Sequence, residues 1–332
     1  GYSNAPALSI LFEKDDYYTS ATSSASNLVT FLGNHDVGRV GFILGSKRIQ
    51  PPAQLLPRAN LANALLYFSR GIPVVYYGDE VGMTGTNAGN DQFARQDMFA
   101  TQVEIWKNEI RIGGSPIGDG DAFQATNTSP IARYLKQISE LRRTNPGLAN
   151  GVMQIRHSLN SLFVISKKDP LENREYIVAF NNSDSDESVD ITSATSEGGW
   201  QILLGDSDIT ADSNKLSFTV PALSTVIFQA RNTIDVVAVK IGKLKSVFDD
   251  MTGFYQVKAD LNSADLLKVE FFTRTLGSTK WTSNGVDTGA PYSIFLDPLD
   301  FPKKKIEIKA VATNSKGKTF VLPLTKLTFP AP

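Results

Sequence analysis

The sequence predicts an α/β unit followed by two all-β units, and three observations support this order. An apolar run at residues 28–32 ends in three consecutive polar side chains, residues 34–36. A helical pattern at residues 59–69 leads to a second apolar run at residues 73–77, which predicts a βαβ unit. Beyond residue 151 the pattern changes to short alternating runs separated by turns rich in Asn, Ser and Asp, which favours antiparallel sheets.

The α/β unit is predicted from the spacing of its apolar residues. Helices are expected at residues 7–17, 59–69 and 131–143. The two strands are expected to be parallel and buried on both faces. Their ends then lie at one edge of the sheet, which is where α/β barrels hold catalytic groups. A long segment rich in Gly, Asn and Asp, residues 83–128, follows the second strand, with a short helix expected at residues 102–110.

The two strands and the residues after them resemble motifs of the α-amylase family of glycoside hydrolases. Residues 31–36, Phe-Leu-Gly-Asn-His-Asp, are similar to the last of the family's short motifs, and residues 71–80 are similar to its final barrel strand. The resemblance implies a fold in which residues 1–148 are the C-terminal portion of a (β/α)8 TIM barrel. An antiparallel β-sandwich at residues 149–231 and an immunoglobulin-like β-sandwich module at residues 232–332 are expected to follow.

The two all-β units are predicted from nine short runs with strand character. They are residues 162–166, 176–180, 200–204, 216–220 and 225–229 in the first unit, and 268–274, 292–296, 306–313 and 320–324 in the second. Trp281, in the second unit, is more typical of a buried sandwich core, although stacking on a sugar ring remains open.

The family resemblance assigns roles to the polar residues after the first strand. Glycoside hydrolysis needs a proton donor and, in retaining enzymes, an attacking carboxylate. By resemblance, Asp36 is the catalytic third carboxylate, which binds sugar hydroxyls and favours the distorted ring. His35 and Asn34 match the neighbouring substrate-binding positions, and a neutral imidazole can both donate and accept a hydrogen bond.

Five more residues near the same edge are candidates for a role in the site. Asp91 and Arg95, four apart, match a pair that binds the next glucose unit in many family members, with a surface ion pair as the alternative. Arg39 either lines the same cleft or caps the loop. Asp79 and Glu80 leave the second strand side by side, so their side chains are expected to diverge and to satisfy loop backbone or a cation.

The nucleophile and acid motifs of the family are absent from this sequence. No segment before residue 28 ends in Gly-x-Arg-x-Asp, and a complete barrel takes about 250 residues. We therefore expect a C-terminal fragment of a retaining, α-glucan-active glycoside hydrolase, inactive alone, with the upstream half of the enzyme as its partner. The alternative is a non-catalytic glucan-binding or interaction protein derived from that fold. Hydrolysis and transglycosylation use the same residues and are not distinguished.

Composition limits the remaining classes. Lys and Arg number 33 against 34 Asp and Glu, which argues against nucleic-acid binding, and no apolar run reaches the roughly 20 residues of a membrane span. The absence of cysteine excludes disulfides and thiolate metal sites. The resemblance admits Ca²⁺ but assigns no ligands, and no other cofactor is expected. The predicted substrate is an α-glucan or maltooligosaccharide, and the predicted location is secreted or cell-surface, with the signal peptide outside this chain.

Overall fold

The first part of the chain is an α/β segment. The computed structural model describes residues 4–46, 52–85, 91–118, 120–235, 238–261, 266–301 and 304–329. The elements of this α/β segment are α1 (Ala5–Lys14), β1 (Val29–Phe31), α2 (Val40–Ser46), α3 (Leu55–Phe68), β2 (Ile72–Val74), α4 (Glu104–Lys107), α5 (Ala122–Ala125), α6 (Pro130–Thr144) and α7 (Pro146–Asn150). None of the helices in these ranges is long and apolar enough to cross a membrane.

Strands β1 and β2 pair in parallel, as the βαβ pattern predicts. Val29 lies opposite Ile72 and Phe31 lies opposite Val74. The expectation that both strand faces are buried is wrong, because the side chains of these four residues are 44–59% exposed. In the described chain this sheet has only two strands, so one of its faces has no apolar layer over it.

Helices α1, α3 and α6 overlap the helices predicted at residues 7–17, 59–69 and 131–143, whereas α2, α5 and α7 were not predicted. Helix α6 follows Ser129, whose hydroxyl accepts a hydrogen bond from the Ala132 amide at 3.4 Å, and Pro130 occupies its first turn. Its buried Ile131, Leu135 and Ile138 pack against α3 and the sheet of the following unit. Helix α4 is only one turn long, within the segment expected to be helical at residues 102–110.

The second part is an antiparallel β-sandwich, as predicted. Its strands are β3 (Val152–Leu159), β4 (Leu162–Asp169), β5 (Arg174–Asn181), β6 (Glu187–Thr192), β7 (Trp200–Leu204), β8 (Ile209–Asp212), β9 (Lys215–Val220) and β10 (Thr225–Thr233). Five form a sheet in the order β3-β4-β5-β10-β7, and three form a second sheet in the order β6-β9-β8. Strands β4 and β5 are buried on both faces because one face packs on the second sheet and the other on the α/β segment.

The third part is a second antiparallel sandwich, which we call the C-terminal module. Its strands are β11 (Ile241–Asp249), β12 (Phe254–Leu261), β13 (Leu267–Thr275), β14 (Thr282–Asp287), β15 (Ser293–Leu296), β16 (Lys305–Asn314), β17 (Thr319–Val321) and β18 (Thr325–Thr328). One sheet has the order β11-β12-β15, and the other has β14-β13-β16-β17 with β18 also paired to β16. One apolar cluster fills the space between them.

Trp281 lies outside the core of the C-terminal module, contrary to the reading that the sequence favoured. The side chain is only partly buried, and the Arg274 guanidinium carbon and the Lys309 Nζ lie 4.4 and 4.7 Å from its ring centroid. The aromatic face is therefore occupied by cations of the same sheet.

The C-terminal module packs directly on the α/β segment. The Tyr17 ring lies 4.8 Å from the Phe254 ring and 5.9 Å from the Phe295 ring. The Lys14 Nζ lies 2.8 Å from Asp249 Oδ2. Gly285 of β14 lies so close to the Ser20 backbone that a Cβ would come within 2.7 Å of the Ser20 carbonyl oxygen. The contact between the C-terminal module and the α/β segment therefore combines apolar packing, an ion pair and a close approach of the two backbones.

Candidate active site

The loop that follows β1 is a tight turn closed on itself. The Asn34 amide donates to the Gly38 carbonyl at 3.1 Å, and the Gly38 amide donates back to the Asn34 carbonyl at 3.2 Å. The Asn34 Oδ1 accepts hydrogen bonds from the amides of Asp36 and Val37, both at 2.8 Å. A Cβ at Gly33 would lie 2.4 Å from the Gly38 carbonyl oxygen, so glycine is required there. The amide oxygen of Asn34 therefore holds the turn, which directs His35 and Asp36 outward.

Four of the predicted site residues form one exposed cluster, which we call the rim cluster: His35, Asp36, Asp91 and Arg95. The Arg95 Nη2 lies 2.6 Å from Asp91 Oδ2 and 3.4 Å from Asp36 Oδ1. The Arg95 Nε also donates to the His35 carbonyl at 3.3 Å. The Nε2 of His35 lies 3.3 Å from Asp36 Oδ2. Arg95 therefore joins the loop after β1 to the loop after β2.

The rim cluster is open to solvent. The Asp36 side chain is 64% exposed, His35 is 59% exposed and Arg95 is 47% exposed. Exposed ion pairs contribute little to stability, about 0–1 kcal/mol. Their polar atoms can exchange water for the hydroxyls of a ligand, since a carboxylate accepts and a guanidinium donates hydrogen bonds. This arrangement suits a hydroxylated ligand that crosses both loops.

Arg39 occupies a different environment from the other predicted site residues. Its side chain is fully buried, and its Nη1 donates to Asp79 Oδ1 at 2.9 Å and to the Tyr77 carbonyl at 2.6 Å. Its guanidinium also lies over the Tyr76 ring, 4.8 Å from the centroid. Lining of an open cleft, one of the two roles left open for Arg39, does not fit this position. The contacts favour the other role, in which Arg39 holds the loop.

Asp79 and Glu80 diverge, as expected from their adjacency on one strand end. Asp79 is 6% exposed and faces Arg39, whereas the Glu80 Oε2 accepts a hydrogen bond from the Gly78 amide at 2.7 Å. Burial raises the pKa of Asp79 to about 6, and the nearby Arg39 opposes that rise. Neither carboxylate is placed as the partner of the other in acid catalysis.

A buried polar chain below the rim cluster has no counterpart in the sequence predictions. The Arg39 Nε donates to Gln96 Oε1 at 2.7 Å, and the Gln96 Nε2 donates to Glu109 Oε2 at 2.5 Å. The Glu109 Oε1 accepts from the Thr84 amide and hydroxyl at 3.0 and 2.7 Å. These bonds attach the long segment after β2 to the strand ends. Gln96 lies in a segment without periodicity and Glu109 lies near the end of the helix expected at residues 102–110, so no pattern indicates that the two side chains meet.

In the part of the chain that the structure describes, the carboxylates do not form a metal centre. No three His, Cys, Asp or Glu side chains there are grouped as metal ligands. Between Asp36 and Asp91 the bridging position is taken by the Arg95 guanidinium. The Ca²⁺ that the family resemblance admits stays a prediction without assigned ligands.

Comparison with known proteins gives consistent matches. Residues 7–113 match the family model described as the catalytic domain of alpha amylase. The chain is 34% identical over 327 residues to an alpha-amylase of Streptomyces lividans, an alignment that covers 95% of this chain and 35% of that protein. It is 28% identical over 214 residues to a cyclomaltodextrin glucanotransferase of Thermoanaerobacterium thermosulfurigenes, covering 61% of this chain and 24% of that protein.

Among solved structures, the alpha-amylase from Geobacillus thermoleovorans complexed with acarbose matches with a TM-score of 0.49 and 20% identity. That match covers 68% of this chain and 43% of the solved chain. The present chain thus spans about a third of the Streptomyces lividans protein and about a quarter of the glucanotransferase.

Proposed function

From the premise that this chain is related to the α-amylase family of glycoside hydrolases, we propose that it carries part of the active site of a retaining, α-glucan-active enzyme. In this proposal Asp36 is the carboxylate that stabilises the positively charged, distorted sugar ring. His35 and Asn34 border the same subsite, and Asp91 with Arg95 binds the neighbouring glucose unit. The substrate is starch, maltodextrin or a shorter maltooligosaccharide.

The observation that carries the proposal is the rim cluster itself. Asp36 and His35 leave β1, whereas Asp91 and Arg95 follow β2, and the Arg95 guanidinium lies within 3.4 Å of carboxylates from both loops. Parallel pairing of β1 and β2 places both loops at the carboxyl ends of the strands. An exposed carboxylate, imidazole and guanidinium at that position can form hydrogen bonds with the many hydroxyls of a sugar.

We place the two remaining catalytic carboxylates in another part of the polypeptide. Retention requires a nucleophile and an acid about 5 Å apart. In the described residues Asp79 and Glu80 are committed to Arg39 and to backbone, and Asp91 pairs with Arg95. The exposed apolar faces of β1 and β2 support this placement, because further barrel strands would bury them. The upstream half of the enzyme is therefore the proposed partner of this chain.

The experiment is to replace Asp36 by Asn in the longer enzyme and to measure turnover of maltooligosaccharides. The amide keeps the size of the side chain but removes the negative charge that opposes the developing positive charge of the ring. We expect kcat to fall by several orders of magnitude with little change in thermal stability, because Asp36 is exposed. A variant that keeps more than about a tenth of the wild-type rate, a loss below about 1.4 kcal/mol, would refute the role of Asp36.

His35→Ala is the matched comparison. It removes one sugar contact from the neighbouring position but no carboxylate charge, so its loss in kcat/KM should be smaller than that of Asp36→Asn. Products should be separated by chromatography in the same assay, since hydrolysis and transglycosylation would use these residues alike. The non-catalytic alternative, a glucan-binding protein, predicts that neither variant changes a rate.

We also propose that the enzyme acts outside the cytoplasm, secreted or at the cell surface. Starch and maltodextrin supplied from outside the cell are too large to cross a bilayer, so an enzyme that degrades them has to act outside the cytoplasm. Fractionation of producing cells, with immunodetection of the C-terminal module, tests this. Exclusive recovery from the cytoplasmic fraction would contradict it.

A further inference from the structure

A polar cavity lies at the opposite end of the parallel strands from the rim cluster, where all three parts of the chain meet. Its volume is about 350 Å³. The α/β segment contributes Arg70 and Arg142 to its wall, β4 contributes Lys167, and the C-terminal module contributes Thr288 and Gly289. Gly71 and Ile72, at the beginning of β2, also line it. The proposed catalytic chemistry at the ends of the strands uses none of these side chains.

Lys167 is an unusual residue for its position in β4. It is 2% exposed and lies on the same sheet face as Phe163 and Ile165, which pack into the core shared with the α/β segment. Within the described residues its ammonium makes no hydrogen bond and no ion pair. A charged lysine that is buried without a partner loses its hydration, and no hydrogen bond or ion pair compensates for that loss.

The Arg142 guanidinium is a second cation at this cavity without an acidic partner among the described residues. Its Nη1 donates to the carbonyl of Tyr67 and, at 3.4 Å, to that of Leu148. Its Nη2 donates to the Gly71 carbonyl, also at 3.4 Å. These bonds fix the orientation of the guanidinium but leave its charge uncompensated.

Arg70, the third cation, has acidic side chains of its own beside it. It pairs with Asp15, and its Nη1 lies 3.1 Å from Asp16 Oδ1. Asp287 of the C-terminal module also acts on it, and burial raises the pKa of Asp16 to about 9 and that of Asp287 to about 6. The carboxyl groups at this junction therefore lie beside Arg70, and Lys167 and Arg142 remain without a counter-ion.

We propose that this cavity binds a small oxyanion of the sulfate or phosphate class, held by the Lys167 ammonium and the Arg142 guanidinium. Guanidinium and ammonium groups are the usual protein partners of such anions. The volume accommodates one oxyanion with ordered water. Because the wall includes all three parts of the chain, the bound anion holds them together and stabilises the folded protein in proportion to its concentration.

Binding of the anion depends on pH through Lys167. Burial, together with Arg142 and Arg70, lowers the pKa of Lys167 from 10.5 to about 7. The ammonium form is thus the majority below pH 7 and a small minority above pH 8. If only the charged form binds, affinity falls about thirtyfold between pH 6 and pH 8.5. Ionisation of Asp287 and Asp16, both beside Arg70, adds negative charge as pH rises and acts in the same direction.

The test is calorimetric titration of the purified 332-residue chain with sodium sulfate at pH 6 and pH 8.5, at constant ionic strength set with sodium chloride. Sulfate keeps its charge over this range, so the change in affinity belongs to the protein. We expect one saturable site at pH 6 and about thirtyfold weaker binding at pH 8.5. Phosphate at pH 6 should compete with sulfate. Absence of saturable binding at pH 6, or equal affinity at both pH values, would overturn the proposal.

Two variants locate the site. Lys167→Met keeps the length of the side chain, removes the buried charge and should abolish sulfate binding at pH 6. Without the anion its thermal midpoint should be at or above that of the wild type, because a desolvated cation is gone. Lys136→Met removes an exposed cation from α6, the helix that carries Arg142, and should bind sulfate like the wild type. Retained binding in Lys167→Met would contradict the assignment of this cavity.

Discussion

Arg39 and Asp79 form an ion pair from which water is excluded. Such pairs cost desolvation to form, and removal of one partner leaves a buried charge alone at a cost of about 3–5 kcal/mol. We therefore expect Arg39→Met to destabilise the chain by about that amount. Asp79→Asn introduced into the same variant should recover part of the loss, since no buried charge remains. Denaturant unfolding of both single variants and the double variant measures this coupling.

The same pair predicts how Arg39→Met responds to pH. The folded-state pKa of Asp79, about 6, lies above its ordinary value of 3.8. The folded state thus binds more protons in that window, and the contribution of Asp79 to stability falls as pH rises from about 4 to 6. Without Arg39, which lowers this pKa, the window extends to higher pH. Arg39→Met should lose more stability at pH 8 than at pH 5, and equal losses would show that Asp79 is not the affected group.

At the scale of single residues, sequence reasoning found the groups that leave the strand ends. Three polar residues after an apolar run single out Asn34, His35 and Asp36, and the resemblance to the α-amylase family singles out Asp91 and Arg95. It did not find that Asn34 holds the turn with its own side chain. Nor could it place Gln96 and Glu109 beneath the loop, because contacts between residues far apart along an irregular segment leave no periodic signal.

At the scale of elements, the two parallel strands expose their apolar side chains. Val29, Phe31, Ile72 and Val74 form an exposed patch next to unpaired strand edges, which favours self-association. We expect the isolated chain to form oligomers at micromolar concentration in sedimentation velocity experiments. A double variant, Phe31→Thr with Val74→Thr, should shift it toward monomer. Oligomers that are unchanged in this variant would mean that another surface associates.

Elements of the C-terminal module support the α/β segment through Tyr17. The half-buried Tyr17 ring contacts Phe254 and Phe295, so Tyr17→Ala should cost about 1–2 kcal/mol. Hydrogen exchange should increase in both α1 and strands β12 and β15. Tyr18→Ala, at the more exposed neighbour, should leave exchange in β12 and β15 unchanged. Increased exchange in α1 alone would show that the ring stabilises only its own helix.

The C-terminal module also covers part of the α/β segment. Removal of residues 232–332 would uncover Tyr17 and leave Lys14 without Asp249. The strand pattern predicts a sandwich but carries no information about which neighbour it packs against, since the contacting residues are few and widely spaced.

At the scale of the whole molecule, the order of an α/β segment and two β-sandwiches follows from local patterns. Strands β3, β6, β8, β11, β12, β14 and β18 were not predicted. Several of them mix polar and apolar residues, because one face of the strand is exposed to solvent or because the strand lies next to a turn. The opposite case is β4, which continues as strand through Lys167 and Lys168 although its apolar run ends at Ile165. Burial between two units, rather than its own composition, keeps that end of the strand extended.

The central proposal is that this chain contributes a charge-stabilising carboxylate and a substrate-binding rim, and that the carboxylates that break the bond lie in another part of the polypeptide. The direct measurement is incubation of the purified 332-residue chain with maltooligosaccharides and with an activated α-glucoside, beside the longer enzyme at equal molarity. We predict turnover by the longer enzyme and none by this chain. Steady turnover by this chain that is abolished by Asp79→Asn or Glu80→Gln would contradict the account, because the active site would then be complete within these residues.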